Sequence, residues 1–162
     1  MARYYTSSVD NIYHNQGMPG VFKLLRSARP QICAEILRWA LDTQKLDVAR
    51  QAYGKVSADT KWTMVQYLAD HRNYHRAFPM VLGGQDPSRN NAELLWLAAV
   101  RQNRETVRYL VRHPKITAEM CVGKNKNAAA QHLVTEELAL WQREHLLASV
   151  GPQSAPAVVR KM

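Results

Sequence analysis

The chain repeats a short apolar pattern, and this repeat is the feature that most restricts its fold. Three polar positions, Lys45, Asn73 and Asn103, lie 28 and 30 residues apart, and an apolar residue follows each of them four positions later. These apolar residues are Ala49, Ala77 and Val107. Further apolar residues recur five positions before each of the three polar positions, and seven and eight positions after it. A period of this kind is typical of stacked arrays of one small structural unit.

Within each repeat the spacing of apolar residues predicts helices. Leu94, Leu95 and Ala98 recur at steps of three and four residues, and a second such stripe follows the polar break at Gln102. Seven glycines and seven prolines are few for an all-β chain of 162 residues. The unit is therefore a helix, a tight turn and a second helix. Four units are predicted, near residues 10–28, 34–55, 62–83 and 92–113.

The C-terminal part of the chain has a different pattern. Leu133, Leu140 and Leu147 mark one face of a longer helix over residues 127–150. The last apolar face of a stacked array needs a cover, so we expect this helix to be a cap. An extended tail follows at 151–162. The predicted fold is all-α: a short solenoid of about four antiparallel helix-turn-helix repeats with a C-terminal capping helix, in one domain spanning 1–150.

One stretch carries a family resemblance. Residues 94–99 read Leu-Leu-Trp-Leu-Ala-Ala, and 102–111 read Gln-Asn-Arg-Glu-Thr-Val-Arg-Tyr-Leu-Val. This stretch resembles an ankyrin repeat, in which Thr-Pro-Leu-His-x-Ala-Ala precedes Gly-His-x-x-x-Val-x-x-Leu-Leu. Residues 63–69 and 35–41 match the first half more loosely, and the resemblance covers roughly residues 10–115. It implies protein–protein recognition without catalysis or cofactor.

The resemblance also implies where contacts lie and where this chain departs from the family. By column, contacts are expected just before each turn, at Asp42, Thr43, Asp70, His71, Val100 and Arg101. Glutamine or arginine stands where the family has the turn glycine. The repeat is shorter than the family's spacing of about 33 residues, so helical connections are expected instead of β-hairpins. Short helical-hairpin solenoids of other kinds remain open.

Basic charge is the strongest signal outside the apolar pattern. The chain has 22 Lys and Arg against 13 Asp and Glu, a net charge of +9. Arg104, Arg108 and Arg112 share one helical face, and Lys115 follows them. This basic stripe is interpreted either as a solvated face or as a docking surface for an acidic partner or a phosphate backbone. Changing the three arginines to glutamate is predicted to abolish partner binding and leave the fold intact.

No motif predicts catalysis. His71 and His75 are four residues apart, but no Glu lies between them and arginines flank them, so a polar face is predicted and no metal site. Cys33 and Cys121 are expected to be buried small apolar residues. The adjacent Glu136 and Glu137 are interpreted as first-turn helix charges. No enzyme activity, cofactor or metal is predicted.

The predicted function is a non-catalytic protein–protein interaction module, a small basic accessory or structural subunit on a larger assembly. The alternatives are a nucleic-acid protein that contacts the phosphate backbone of RNA or DNA, and a viral or bacterial inhibitor that binds a host protein. No apolar run is long enough to span a bilayer. Two cysteines are too few for a disulfide framework, so an intracellular reducing compartment is expected, in the cytoplasm or an organelle such as the mitochondrion.

Overall fold

The computed structural model describes residues 8–122 and 127–150 of the chain. Within those ranges the regular structure is helical and no strand occurs, which confirms the all-α prediction. There are nine α-helices in the described ranges: α1 Ser8–Ser27, α2 Pro30–Asp42, α3 Leu46–Tyr53, α4 Ala58–Asp70, α5 Phe78–Leu82, α6 Arg89–Val100, α7 Arg104–Val111, α8 Ala118–Cys121 and α9 Ala128–Ser149. A 3-10 turn at Arg72–Tyr74 lies between α4 and α5.

Residues suited to helix starts set the beginnings of the longer helices. Pro30 is in the first turn of α2, where its missing N–H removes no helical hydrogen bond. The Ser57 hydroxyl accepts a hydrogen bond from the Thr60 N–H at 3.2 Å and caps α4. The Asn127 side chain accepts from the Ala130 N–H at 3.0 Å and caps α9. Helix α1 is interrupted at Gly17, whose φ of 62° marks a break between two helical segments.

Two of the predicted turns have the same backbone. Gln44 and Gln102 have φ values of 58° and 56°, in the left-handed region. The next residue in each turn donates its N–H across the helix end, from Lys45 to the Ala40 carbonyl at 2.7 Å and from Asn103 to the Ala98 carbonyl at 2.9 Å. Both glutamines occupy the position at which the ankyrin pattern has glycine, the residue that adopts positive φ most easily.

The connection from α4 to α5 is built differently. His71 is extended, with φ −123° and ψ 120°, and the 3-10 turn Arg72–Tyr74 replaces the left-handed residue found in the other two turns. Helix α5 is only five residues long, with a proline in its first turn. The apolar columns are still filled here, since Ala77 and Val81 are buried. The turn itself therefore departs from its neighbours while the packing pattern continues.

The core forms where successive helices stack. Helix α4 packs on α6 and α6 packs on α9, while α2 packs on α3, α6 on α7 and α3 on α5. The predicted columns face these contacts: Ala40, Leu68, Ala98, Ala49, Val107, Ala52, Leu110 and Val81 are all fully buried. Small side chains at several of these positions let neighbouring helices approach closely. Cys33 and Cys121 are also buried, as predicted.

Helix α9 covers the last helices with only its first part. Ala130, Leu133 and Val134 are buried, and α9 packs on both α6 and α7. The second part of α9 extends past that contact, and Leu140 is 36% and Leu147 70% exposed. The predicted face of Leu133, Leu140 and Leu147 is therefore buried at Leu133, partly buried at Leu140 and exposed at Leu147. The predicted tail at 151–162 lies outside the described residues.

Candidate functional site

The six residues predicted to contact a partner lie at the C-terminal ends of α2, α4 and α6 and in the residue that follows each helix. We call this set the turn surface: Asp42, Thr43, Asp70, His71, Val100 and Arg101. All are exposed except Asp70, which is half-buried. The three helix ends are joined to one another by polar contacts.

Asp42 links the first helix end to the second. Its carboxylate accepts a hydrogen bond from the Tyr74 hydroxyl at 2.6 Å and another from the Tyr67 hydroxyl at 3.5 Å. Burial, and then the hydrogen bond to Asp42, raises the pKa of Tyr74 well above its usual range. The phenol therefore stays a donor to Asp42 at neutral pH. The sequence pattern did not single out Tyr74, since a turn tyrosine carries no spacing signal.

Asp70 and Arg101 link the second helix end to the third. Arg101 Nε lies 2.5 Å from an Asp70 carboxylate oxygen, in an ion pair that water reaches on both sides. Arg72 Nε donates to the Arg101 carbonyl at 2.7 Å. The two predicted contact residues therefore bind each other and fix the relative position of α4 and α6.

An aromatic group lies beside these charges. The rings of Tyr67 and His71 are 4.2 Å apart, and Tyr67 and Tyr74 are 5.7 Å apart. The Arg38 guanidinium lies 5.0 Å over the Tyr67 ring, a cation–π geometry. His71 Nδ1 is 2.7 Å from the Tyr67 carbonyl oxygen, so the ring points back along α4. Amphipathic rings at a wet surface are the side-chain type that anchors many protein interfaces.

Two of the predicted contact residues do not join this group. The Thr43 hydroxyl donates to the Trp39 carbonyl at 2.7 Å, inside its own helix end. Val100 is 44% exposed and adds an isolated apolar side chain. The turn surface is therefore a row of linked polar ends and carries no converging pair of acid and base.

The basic stripe is paired within the chain. Arg104 contacts Glu136 at 2.9 Å and Glu137 at 2.8 Å, and Arg112 contacts Glu144 at 2.7 Å. Lys115 contacts Asp86 at 3.3 Å. The arginines of the stripe face α9 and attach it to α7, while each keeps more than a third of its side chain exposed.

Glu137 is the centre of this arrangement. Its side chain is 1% exposed, and it also accepts from Arg108 Nε at 3.0 Å. Glu136 and Glu137 are the ninth and tenth residues of α9, so the interpretation as first-turn charges is wrong. Arg104 and Arg108 lose little hydration free energy in this contact, because each keeps a third or more of its side chain in water. Reversing the three arginines would place carboxylates against a buried carboxylate, so the expectation of an intact fold no longer holds.

A groove of about 440 Å³ lies between α5 and α7, beside the stripe. Its apolar lining includes Pro79, Tyr109 and Pro114, and Arg108 and Arg112 lie at its border. Both arginines are already paired, and Glu105 in the same groove lies 3.3 Å from Arg108. The groove therefore has little net charge to attract an acidic ligand.

The exposed end of α9 is the main apolar feature of the surface. Leu146, Leu147 and Val150 are 67%, 70% and 67% exposed. Trp141 and Leu146 also line a shallow groove of about 410 Å³ on this helix. Apart from these, exposed large apolar side chains in the described ranges are scattered singly, which is normal for a protein surface. The heptad spacing of leucines in α9 was visible in the sequence, but which of them would be covered was not.

Candidate chemical groups are sparse in the described part of the chain. His71 and His75 are both exposed, and residues 8–122 and 127–150 contain no group of three metal-ligating side chains. Burial raises the pKa of the Cys121 thiol to about 11, which keeps it in the unreactive thiol form. None of the helices in these ranges has the length and apolar character needed to cross a membrane.

Comparisons with protein-family models, with curated proteins and with solved structures give no match for this chain. The geometry of the turn surface and of α9 is therefore the basis for a functional proposal.

Proposed function

We propose that this chain is a non-catalytic protein–protein interaction module, acting as a small accessory or structural subunit that docks on a larger assembly. The observation that carries the proposal is the exposed apolar end of α9. Leu146, Leu147 and Val150 project from the helix after its contact with α6 and α7 has ended. Clustered apolar side chains in water mark protein contact sites more often than a scattered set does.

The energy of covering these side chains supports the same proposal. Fully burying one leucine side chain gains about 1.5–3 kcal/mol over leaving it in water. Leu146 and Leu147 at the end of α9, with Val150 directly after it, give a partner a compact apolar anchor. The ion pairs between α7 and the middle of α9 hold the helix in place, so a partner would meet an ordered segment and lose little entropy on binding.

The turn surface offers a separate, more polar surface for docking. Its linked helix ends repeat at Asp42, Asp70 and Arg101, and the turns at Gln44 and Gln102 share one backbone form. These features favour the ankyrin-like stacking of helical pairs as the architecture of the module.

The test is affinity capture of the tagged full-length chain from its source, followed by mass spectrometry of the captured proteins. The wild type is compared with Leu146→Asp/Leu147→Asp, and with a control that adds the same charge at exposed glutamines, Gln31→Asp/Gln51→Asp. We expect a partner in stoichiometric amount with the wild type and the control, and its loss with the leucine variant.

Two results would contradict the proposal. One is that no protein is captured in stoichiometric amount from the source. The other is that the leucine variant, shown by circular dichroism to be folded, captures the same partner as the control does. The second result would remove α9 as the docking surface.

A further inference from the structure

Exposed basic side chains without a carboxylate partner also occur near the start of the described chain, away from the basic stripe in sequence. Between Asp10 and Glu35 the sequence has Lys23, Arg26 and Arg29 and no acidic residue. All three basic side chains are exposed. The residues of the stripe each have a carboxylate within 4.0 Å, whereas these three have none among the described residues.

One more basic residue lies at the same corner. Lys55 follows the end of α3, and its Nζ donates to the Leu25 carbonyl at 2.6 Å and to the Arg26 carbonyl at 3.4 Å. This contact fixes the end of α1 against the end of α3. We call these four residues the basic corner: Lys23, Arg26, Arg29 and Lys55.

The basic corner is mainly charged. One exposed large apolar side chain, Leu46 of α3, lines a groove with Met18 and Phe22 of α1. Protein interfaces and membrane-inserting surfaces both use apolar or aromatic anchors at their centre. A phosphate backbone needs only cations and hydrogen-bond donors, spaced along a surface. The composition of the corner therefore favours phosphates over an apolar protein interface.

We propose that the basic corner binds the phosphate backbone of a nucleic acid, without reading its base sequence. Lys23 and Arg26 are three residues apart near the end of α1, and Arg29 continues the row into the start of α2. Lys55 is already bound to the carbonyls of α1, so it positions the row more than it adds a free cation. This inference goes beyond the proposed protein contact of α9 and does not depend on it.

The experiment measures binding of the full-length chain to a labelled DNA duplex and a labelled single-stranded RNA, by fluorescence anisotropy across a salt series from about 50 to 200 mM. We expect binding with a steep salt dependence. Lys23→Glu/Arg26→Glu should weaken binding by at least about tenfold and reduce the slope of log K against log salt by about 2, because each lost phosphate contact removes nearly one counterion. The neutral variant Lys23→Gln/Arg26→Gln should show a smaller loss in the same direction.

The control variant has the same net charge change at two exposed arginines outside the corner, Arg76→Glu/Arg143→Glu. It should lose less than about threefold in affinity if contacts are local. An equal loss in the control would overturn the proposal, since binding would then reflect total charge alone. Absence of binding at the lowest salt would also overturn the proposal. The same holds for binding to vesicles of phosphatidylserine and phosphatidylcholine with no binding to either nucleic acid. Thermal unfolding of each variant shows whether it is folded.

Discussion

The guanidinium of Arg108 makes a two-point contact with the buried carboxylate of Glu137, with Nε 3.0 Å from one oxygen and an Nη nitrogen 3.4 Å from the other. Arg104 adds a third contact at 2.8 Å, so one inaccessible charge of α9 has two cations of α7 around it. Side-chain hydrogen bonds to Glu136 and Glu137 raise the pKa of Arg104, and a hydrogen bond to Glu137 raises the pKa of Arg108. The contact between α7 and α9 is thus ionic at its centre and apolar on either side.

This relationship predicts an asymmetric response to mutation. Arg104→Met/Arg108→Met leaves Glu137 buried without a partner and should lower the free energy of unfolding by about 3 kcal/mol, near the lower limit for a broken buried pair because water partly reaches the site. Adding Glu137→Met should restore most of that loss, since no buried charge remains. Urea unfolding followed by circular dichroism measures both values. A triple variant as unstable as the double one would show that the charges do not govern this contact.

The left-handed turn residue predicts a stabilising change. Gln44 has a φ of 58° and an exposed side chain, so it bears the steric cost of a side chain in this region. Gln44→Gly should raise the free energy of unfolding by about 1 kcal/mol. The matched control is Gln51→Gly, an exposed glutamine inside α3, which should lower it by roughly 1 kcal/mol. Thermal unfolding distinguishes the two, and stabilisation by both or by neither would contradict the assigned turn.

His113 predicts a loss of stability in mild acid. Burial, and then the charge of Lys115, lowers the pKa of this imidazole, while Asp86 opposes the shift. The Lys115 backbone N–H also donates to His113 Nδ1 at 3.2 Å, which requires that nitrogen to be unprotonated. The folded chain therefore favours the neutral ring, and its contribution is present above a pH of about 6.5 and lost as the pH falls below it.

The measurement is the melting temperature of the wild type and of His113→Gln between neutral and mildly acidic pH. The wild type should lose more stability than the variant across the titration of histidine. Identical pH profiles would show that His113 does not contribute. His71 and His75, which are both exposed, provide comparison variants at sites without this hydrogen bond.

Helix α9 predicts a difference between two truncations. A chain ending at Gln142 removes residues that are all exposed where they are described, and should remain monomeric and folded. A chain ending before Ala128 also removes Ala130, Leu133 and Val134, uncovers α6 and α7, and should aggregate. Light scattering and circular dichroism of the two chains measure this. Aggregation of both would place part of the core beyond Gln142.

The sequence was sufficient to predict the helical class and most of the core. Apolar columns such as Ala49 and Val107 are set by helix periodicity, which is a local property, and both are fully buried. The turn at Gln102 was also located from the repeat, although its left-handed backbone was not. These successes concern residues whose burial follows from local helix periodicity.

The sequence was not sufficient where an outcome depends on how α9 docks. Periodicity places Arg104, Arg108 and Arg112 on one face but contains no information about what covers that face. The same limit applies to Leu140 and Leu147, which have the spacing of buried residues and remain exposed. The basic corner did have a sequence signal, the absence of acidic residues between Asp10 and Glu35. The net charge of the whole chain does not show where along the sequence the excess of basic residues lies.

Asn103 gives the stack a property that a simple array of independent pairs would not have. Its buried side-chain amide lies 3.5, 3.2 and 3.3 Å from the carbonyls of Leu68, Ala69 and His71, at the C-terminal end of α4. Loss of α6 and α7 would therefore remove a side-chain donor from these carbonyls. Unfolding of α6 and α7 should therefore destabilise α4, and unfolding of α4 should destabilise α6 and α7. Deletion or insertion of a helical pair at this boundary is expected to destabilise the molecule.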